Sequence, residues 1–393
     1  MSIKKMSPGL LIGLFLFARL LTVITLPLEG LHGYGDFIHF FQLASLPGWP
    51  FFNYWAEFPP IFPFLSAVLF RLASGQEHTY DYLLVIILTL ADAGSLYFFY
   101  RIAARVQDEI TGFRRVFIYL LLLSVLAYGW WYYDPIAVFI MLCGLSLILE
   151  GRDKLAGAAL GIGLLVKLFP VIVLVGLWRT RSWRKILLTI AIPCIIGIIV
   201  YGFLWVKSPN FTLASIQSQW SKSSWETVWA LVDGNYKTGN FGPEIERLNA
   251  AMATVARGNP AVIPTWIPYV IFGAIGIFCL FKISPKSDLQ KISIIGLAWS
   301  LFLLASPGWS PQWVLYLVPL VLLAFPERLA YILGALVVLI NLLEWPILLS
   351  RGLFWGLNLT IPLRTLVFIL MAVEFYQQAV GEPIQNAAPL YHP

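Results

Sequence analysis

The chain alternates apolar stretches with short basic or proline-bearing breaks, the pattern of helices packed across a bilayer. Twelve such stretches predict membrane-embedded helices: 8–27, 82–100, 116–133, 135–149, 155–166, 168–178, 186–206, 264–282, 292–306, 313–325, 329–349 and 360–376. The first follows Lys4 and Lys5, as a signal peptide would. It lacks a small-residue cleavage site and keeps Arg19, so it reads as a retained span.

Basic residues orient the bundle, because short cytoplasmic loops carry the positive charge. The clusters are Lys4 and Lys5; Arg101, Arg105, Arg114 and Arg115; Arg152 and Lys154; Arg179, Arg181, Arg184 and Lys185; Lys282, Lys286 and Lys291; and Arg328. Placing them all on one side puts both termini in the cytoplasm. Two unusual segments follow. Residues 58–73 open on Pro59-Pro60, end near Arg71 and are short, so they predict a juxtamembrane or re-entrant helix. Residues 155–178 have basic loops at both ends and must enter and leave on the same side. The break falls at Lys167-Leu168-Phe169-Pro170, giving two half-helices with a lysine at the turn.

The remaining long outer connection is 207–263. Trp220, Trp225 and Trp229 have spacings that can share one helix face, which predicts an amphipathic helix lying on the outer surface. A tryptophan-rich core of a small outer subdomain fits equally well. The sequons Asn210-Phe211-Thr212 and Asn358-Leu359-Thr360 both fall outside in this topology. No internal repeat or soluble domain boundary stands out, and 377–393 reads as a cytoplasmic tail.

Composition narrows the class. At 59% hydrophobic and 12% charged, the 393 residues cannot be an ordinary soluble domain. The net charge of +6 is spread over span ends rather than gathered in a patch, which argues against a nucleic-acid partner. Cys143, Cys194 and Cys279 all fall in apolar stretches, so no disulfide framework is expected. His32, His39, His78 and His392 lack zinc-type spacing.

Four charged groups are candidates for chemistry. Asp36 sits just past the first span, where partial desolvation raises a carboxyl toward the range of a general base; it also stands where an N-cap for 37–46 belongs. Lys167, at the turn between half-helices, suits a phosphate, though lysines near helix ends also snorkel to the interface. Arg19 lies about 12 Å below the outer exit, a depth that implies function or a buried ion pair, with Asp92 and Asp134 as candidate partners. Asp134, at the tight turn Tyr132-Tyr133-Asp134-Pro135, can face the same compartment as Asp36. Glu344 and Arg364, near the outer ends of successive spans, read as a structural pair.

Three blocks in order resemble the GT-C glycosyltransferases, closest to the polyprenyl-phosphate-mannose-dependent α-mannosyltransferases. The first holds Gly35-Asp36, Gly48-Trp49-Pro50-Phe51 and Glu57-Phe58-Pro59-Pro60. The second, 134–174, is similar to the Lys-aromatic-Pro region of that group and of GPI mannosyltransferase I, and the third is Ser310-Pro311-Gln312-Trp313. The resemblance implies an all-α, multi-span GT-C bundle over residues 1–376, with juxtamembrane helices in 28–81 and the large loop 207–263 on the extracytoplasmic side. It implies a hexosyltransferase taking its sugar, mannose by analogy, from a polyprenyl- or dolichyl-phosphate donor. The acceptor would be a hydroxyl on a glycolipid, lipid-linked glycan or other molecule. Inversion would use Asp36 as general base, in the plasma membrane of a prokaryote or the endoplasmic reticulum of a eukaryote.

The resemblance carries the conserved lysine onto Lys167. Asp134, Glu57, Arg71, Arg19 and Gln312 complete the candidate substrate-binding set. GPI mannosyltransferase I has Asp-x-Asp where this chain has Asp36-Phe37-Ile38. The second acid is missing, so no cofactor is expected and a divalent metal finds no support in the motif. The competing reading is a transporter or flippase for an anionic lipid, with Arg19, Lys167 and Arg364 along its path. Such proteins commonly carry internal repeats, and none is visible.

Overall fold

A computed structural model describes residues 7–26, 35–126, 128–236 and 241–381. Lys4, Lys5, His32, Gly33, His392 and the tail beyond Gly381 lie outside the described residues. The described chain is helical, and extended pairing is limited to two isolated bridges, Pro50 with Tyr54 and Trp225 with Gly308.

In chain order the helices are α1 (Pro8–Thr25), α2 (Phe37–Ser45), α3 (Ile61–Leu72), α4 (Glu77–Val106) and α5 (Glu109–Val125). After one helical turn at Tyr128–Trp131 come α6 (Asp134–Leu149), α7 (Asp153–Val166), a 3-10 segment Phe169–Leu177 and α8 (Trp183–Lys207). The large loop contributes α9 (Pro209–Ser218) and α10 (Val228–Asp233), and the bundle closes with α11 (Trp266–Lys282), α12 (Asp288–Ala305), α13 (Val314–Ala324), α14 (Glu327–Leu342) and α15 (Leu357–Val380).

Among the described residues, six helices are long and apolar enough to cross a bilayer: α1, α4, α8, α12, the run Glu327–Leu349, and Phe354–Val380. This is an all-helical membrane bundle. The other predicted spans are helical but shorter. The stretch 116–133 ends its helix at Val125, and the chain then turns through Tyr128–Trp131 to deliver Asp134 to the start of α6. At the other extreme α15 runs on to Val380, past the expected start of the tail. The outward faces of α8 and α11 expose Ile198, Val206, Val270 and Phe278, surface that only lipid or another apolar partner can cover.

One end of the bundle gathers the basic loops. Arg101 pairs with Glu150 at 2.8 Å, Arg105 with Asp288 at 2.6 Å and Arg114 with Glu327 at 3.0 Å. The buried Arg115 donates to the Leu322 and Phe325 carbonyls, and Arg179 to the Phe281 carbonyl. Side-chain caps start two helices here: Asp108 accepts from the Ile110 and Thr111 amides, and Ser287 with Gln290 forms a capping box.

The segment 155–178 doubles back as its charges required. α7 rises from Asp153 and stops at Lys167, whose extended backbone (φ −160°, ψ 148°) breaks the helix. The 3-10 segment then descends beside it, with Pro170 packed on Gly163. Arg181 closes the hairpin, bonding Asp153 at 2.9 Å and the Ile148 carbonyl at 3.0 Å. With 14 residues in α7, the hairpin rises about 21 Å and falls short of a full crossing.

Candidate active site

The opposite end of the bundle holds a cavity of about 800 Å³, walled by α2, the Lys167 tip, the large loop and the 306–313 connection. Asp36, Glu57, Lys167 and Gln312 line it, together with His39, Lys222, Glu244 and Arg247.

Asp36 is held by its backbone. Its amide donates to the Trp131 carbonyl at 3.0 Å and its own carbonyl accepts from Phe40, opening α2. A β-carbon on Gly35 would run into Trp131, so only glycine permits this approach. The N-cap position is occupied, yet the Asp36 side chain makes no capping bond. Among the described residues none hydrogen-bonds its carboxylate, which is therefore turned to the cavity. Burial pushes the Asp36 carboxyl above the usual aspartate value, against the pull of His39, Lys222 and Lys167. Ile38, at the place of the missing second acid, lines the cavity beside it.

α2 splits by face: Phe37, Phe40, Leu43 and Ala44 pack inward, while Ile38, His39 and Gln42 reach the cavity. His39 bridges Glu57 at 2.9 Å and Glu244 at 2.7 Å. Burial alone would lower its pKa, but Glu57, Glu244 and Asp36 prevail and hold it at about 9. Glu57 also receives Arg247 at 2.8 Å. Burial opposes its ionisation, yet His39 and Arg247 hold its carboxyl well below the usual range. The network ties α2 to the large loop.

Lys167 stands at the hairpin tip. Its ammonium lies 2.7 Å from Asp134 Oδ1 and about 5 Å from the Tyr133 and Phe169 rings. Phe169 is boxed by Trp299, Trp313 and Tyr316, with centroids 4.8–5.4 Å away. Tyr133 stacks on Phe62 of α3 at 4.0 Å, so α3 is fastened to the same turn.

The remaining candidates sit elsewhere. Asp134 is fully buried behind Lys167, also accepting the Tyr316 hydroxyl at 2.8 Å. Arg19 pairs with Asp92 at 2.7 Å over the Trp130 ring, inside the bundle. Arg71 covers Trp49 at 3.8 Å and donates to the Gly48 carbonyl. None of the three lines the cavity. Arg364 and Glu344 do form a buried pair, and Arg364 also donates to the Glu226 carbonyl.

The three tryptophans of the large loop do not share a helix. α9 ends at Ser218, and Trp225 is extended, its amide donating to the Pro307 carbonyl at 3.1 Å and its carbonyl accepting from Trp309 at 3.0 Å. Trp229, in α10, donates to the Leu304 carbonyl at 3.0 Å. The pairing with 307–309 outcompetes helix across 221–227. Trp220 and Trp225 instead face the cavity.

Sequence reasoning missed His39, Lys222, Glu244 and Arg247. His39 had a signal, since it follows Asp36 by three residues on one helix face. The other three reach the cavity only because the large loop folds over it.

No curated protein matches the chain. The profile of glycosyltransferase family 87, a GT-C-like family of membrane glycosyltransferases, matches residues 55–307, well over half the length. The match covers Glu57, Lys167, Lys222 and Arg247, and begins after Asp36. With the helical bundle and its charged, aromatic-walled cavity, this match makes the chain a member of glycosyltransferase family 87.

Proposed function

We propose that the protein transfers a hexose, mannose by the resemblance of its motifs, from a polyprenyl- or dolichyl-phosphate donor to an acceptor hydroxyl, inverting the anomeric carbon. The observation that carries this reading is one cavity holding an acid without a hydrogen-bonding partner among the described residues, Asp36, together with cationic side chains and aromatic walls. Asp36 takes the proton of the acceptor hydroxyl as its oxygen attacks the anomeric carbon. The bond from that carbon to the phosphate oxygen breaks on the opposite face, and the lipid phosphate leaves with the electron pair. Lys167 offsets the charge that develops there, an effect that counts for more in a site shielded from water. Gln312, whose buried Oε1 has no partner among the described residues, can accept from a sugar hydroxyl.

The clustering of basic loops at the far end supports an extracytoplasmic cavity. Asp134 supports the reaction by positioning Lys167, while Arg19 and Arg71 act on the framework rather than on substrate.

The test is transfer by purified protein in liposomes from polyprenyl-phosphate radiolabelled mannose to extracted membrane glycolipids, with a nucleotide sugar as the comparison donor. Label entering glycolipid only from the lipid donor supports the reading. Movement of the donor between leaflets without transfer would favour a flippase.

A further inference from the structure

Among the described residues, the charges lining the cavity cancel in pairs with two exceptions. Lys167 is matched by Asp134, while Arg247 and His39 are matched by Glu57 and Glu244. Asp36 and Lys222 remain. Both line the cavity, and among the described residues neither has a side chain of opposite charge within ion-pair distance.

Lys222 is held without being neutralised. Three residues on, Trp225 is clipped to the 307–310 connection by two backbone bonds and by its indole nitrogen on Ser310 Oγ at 3.2 Å. The Lys222 ammonium lies 5.9 Å from the Trp225 ring and 5.3 Å from Phe241. Aromatic faces attract a cation but leave its hydrogen-bond donors free. We infer that Lys222 is the principal anchor for the phosphate of the lipid donor, with Lys167 a weaker one because Asp134 already occupies it. The inference rests on the donor class proposed above and assigns its anionic group to a residue outside the motifs that suggested that class.

The chemistry favours this arrangement. A half-buried ammonium with no ion-pair partner among the described residues is costly until an anion arrives, and desolvation lowers the Lys222 pKa from the ordinary lysine value, with Arg247 and Lys167 adding to the effect and Glu57 and Asp36 opposing it. A phosphate ester supplies the missing charge and accepts several hydrogen bonds. Binding the donor thus completes the electrostatics of the wall and leaves Asp36, among the described residues, as the uncompensated group, ready for the acceptor proton.

The experiment measures binding of farnesyl phosphate to purified protein in nanodiscs, with farnesol and inorganic phosphate as controls. Lys222→Gln is expected to weaken farnesyl phosphate roughly ten- to hundredfold, the scale of a lost charge-assisted hydrogen bond. Farnesol binding should not change, Lys222→Arg should recover most of the affinity, and Lys167→Gln should cost less than Lys222→Gln. Affinity in the wild type should fall at alkaline pH as the ammonium loses its proton, and in Lys222→Arg that fall should move to higher pH. Unchanged farnesyl phosphate binding in Lys222→Gln, with only a lowered melting temperature, would make Lys222 a wall residue and overturn the assignment alone. Inorganic phosphate displacing farnesyl phosphate at equal concentration would overturn a lipid phosphate as the occupant. Wild-type protein that fails to bind farnesyl phosphate would overturn the donor class, and this assignment with it.

Discussion

The Lys167 ammonium stands 2.7 Å from Asp134, joining the tip of the short hairpin to the first residue of the preceding helix, α6. Asp134 is fully buried and accepts from both Lys167 and Tyr316, so it fixes the lysine that faces the cavity. Removing one member of such a pair leaves an uncompensated charge, at about 3–5 kcal/mol. Asp134→Ala is therefore expected to lower the melting temperature in detergent markedly, and Asp134→Asn to lower it less. Equal melting of Asp134→Ala and wild type would show that the pair does not hold the tip.

Lys167 itself separates two roles. Lys167→Ala should slow transfer and weaken donor binding, and Lys167→Arg should recover part of both, since arginine keeps its charge. A lysine that merely snorkels predicts a small loss of stability and normal kinetics. Donor KM and melting temperature measured on both variants decide between them.

His39 makes the protein sensitive to pH in a defined window. Its folded pKa, raised to about 9, exceeds the ordinary histidine value of 6.5, so folding favours the protonated form. The stabilisation is complete below about 6.5 and is lost as pH rises through about 9. Melting temperature should fall across that interval in the wild type. In His39→Gln the slope should flatten, and an unchanged slope would assign the effect to another group.

Gly35 offers a test of placement rather than charge. A β-carbon there meets Trp131, to which the neighbouring Asp36 amide is bonded. Gly35→Val is expected to cut transfer far more than it lowers stability, because it displaces Asp36 while leaving the bundle packed. Full activity in that variant would show that Asp36 tolerates a shifted backbone.

The hairpin was legible because basic residues bracket 155–178 and Pro170 follows Lys167, which together weigh against a straight span that would bury Lys167 in mid-membrane. Asp36 and Arg19 were legible for a similar reason: charge in an apolar context must be used or paired, and Arg19 proved to be paired with Asp92. The large loop was not. Its helical spacing of tryptophans was overridden by backbone bonds from Trp225 to 307–309, a contact across some 80 residues that no local pattern encodes. Lys222, Glu244 and Arg247 are polar residues in a polar loop, and only the closure of that loop over α2 gives them meaning.

Orientation can be read with a single cysteine. With Cys143, Cys194 and Cys279 replaced, Lys167→Cys should react with a membrane-impermeant maleimide added outside intact cells, and a bound donor should shield it. Reaction only from the cytoplasmic side would invert the bundle and every role that depends on the cavity's face.

The most direct measurement compares transfer by wild type and Asp36→Asn, both purified and shown to melt alike, with polyprenyl-phosphate mannose as donor. Asparagine keeps the size and cannot take the proton. Loss of general-base assistance is worth about 10²–10⁴-fold, so the variant should retain at most about one per cent of wild-type turnover with donor affinity largely preserved. The acidic limb of the wild-type rate profile should also lie above the ordinary aspartate pKa, because activity needs the ionised form of a carboxyl whose burial raises its pKa. Near-normal turnover in Asp36→Asn would contradict the account and leave Asp36 as the residue that merely opens α2.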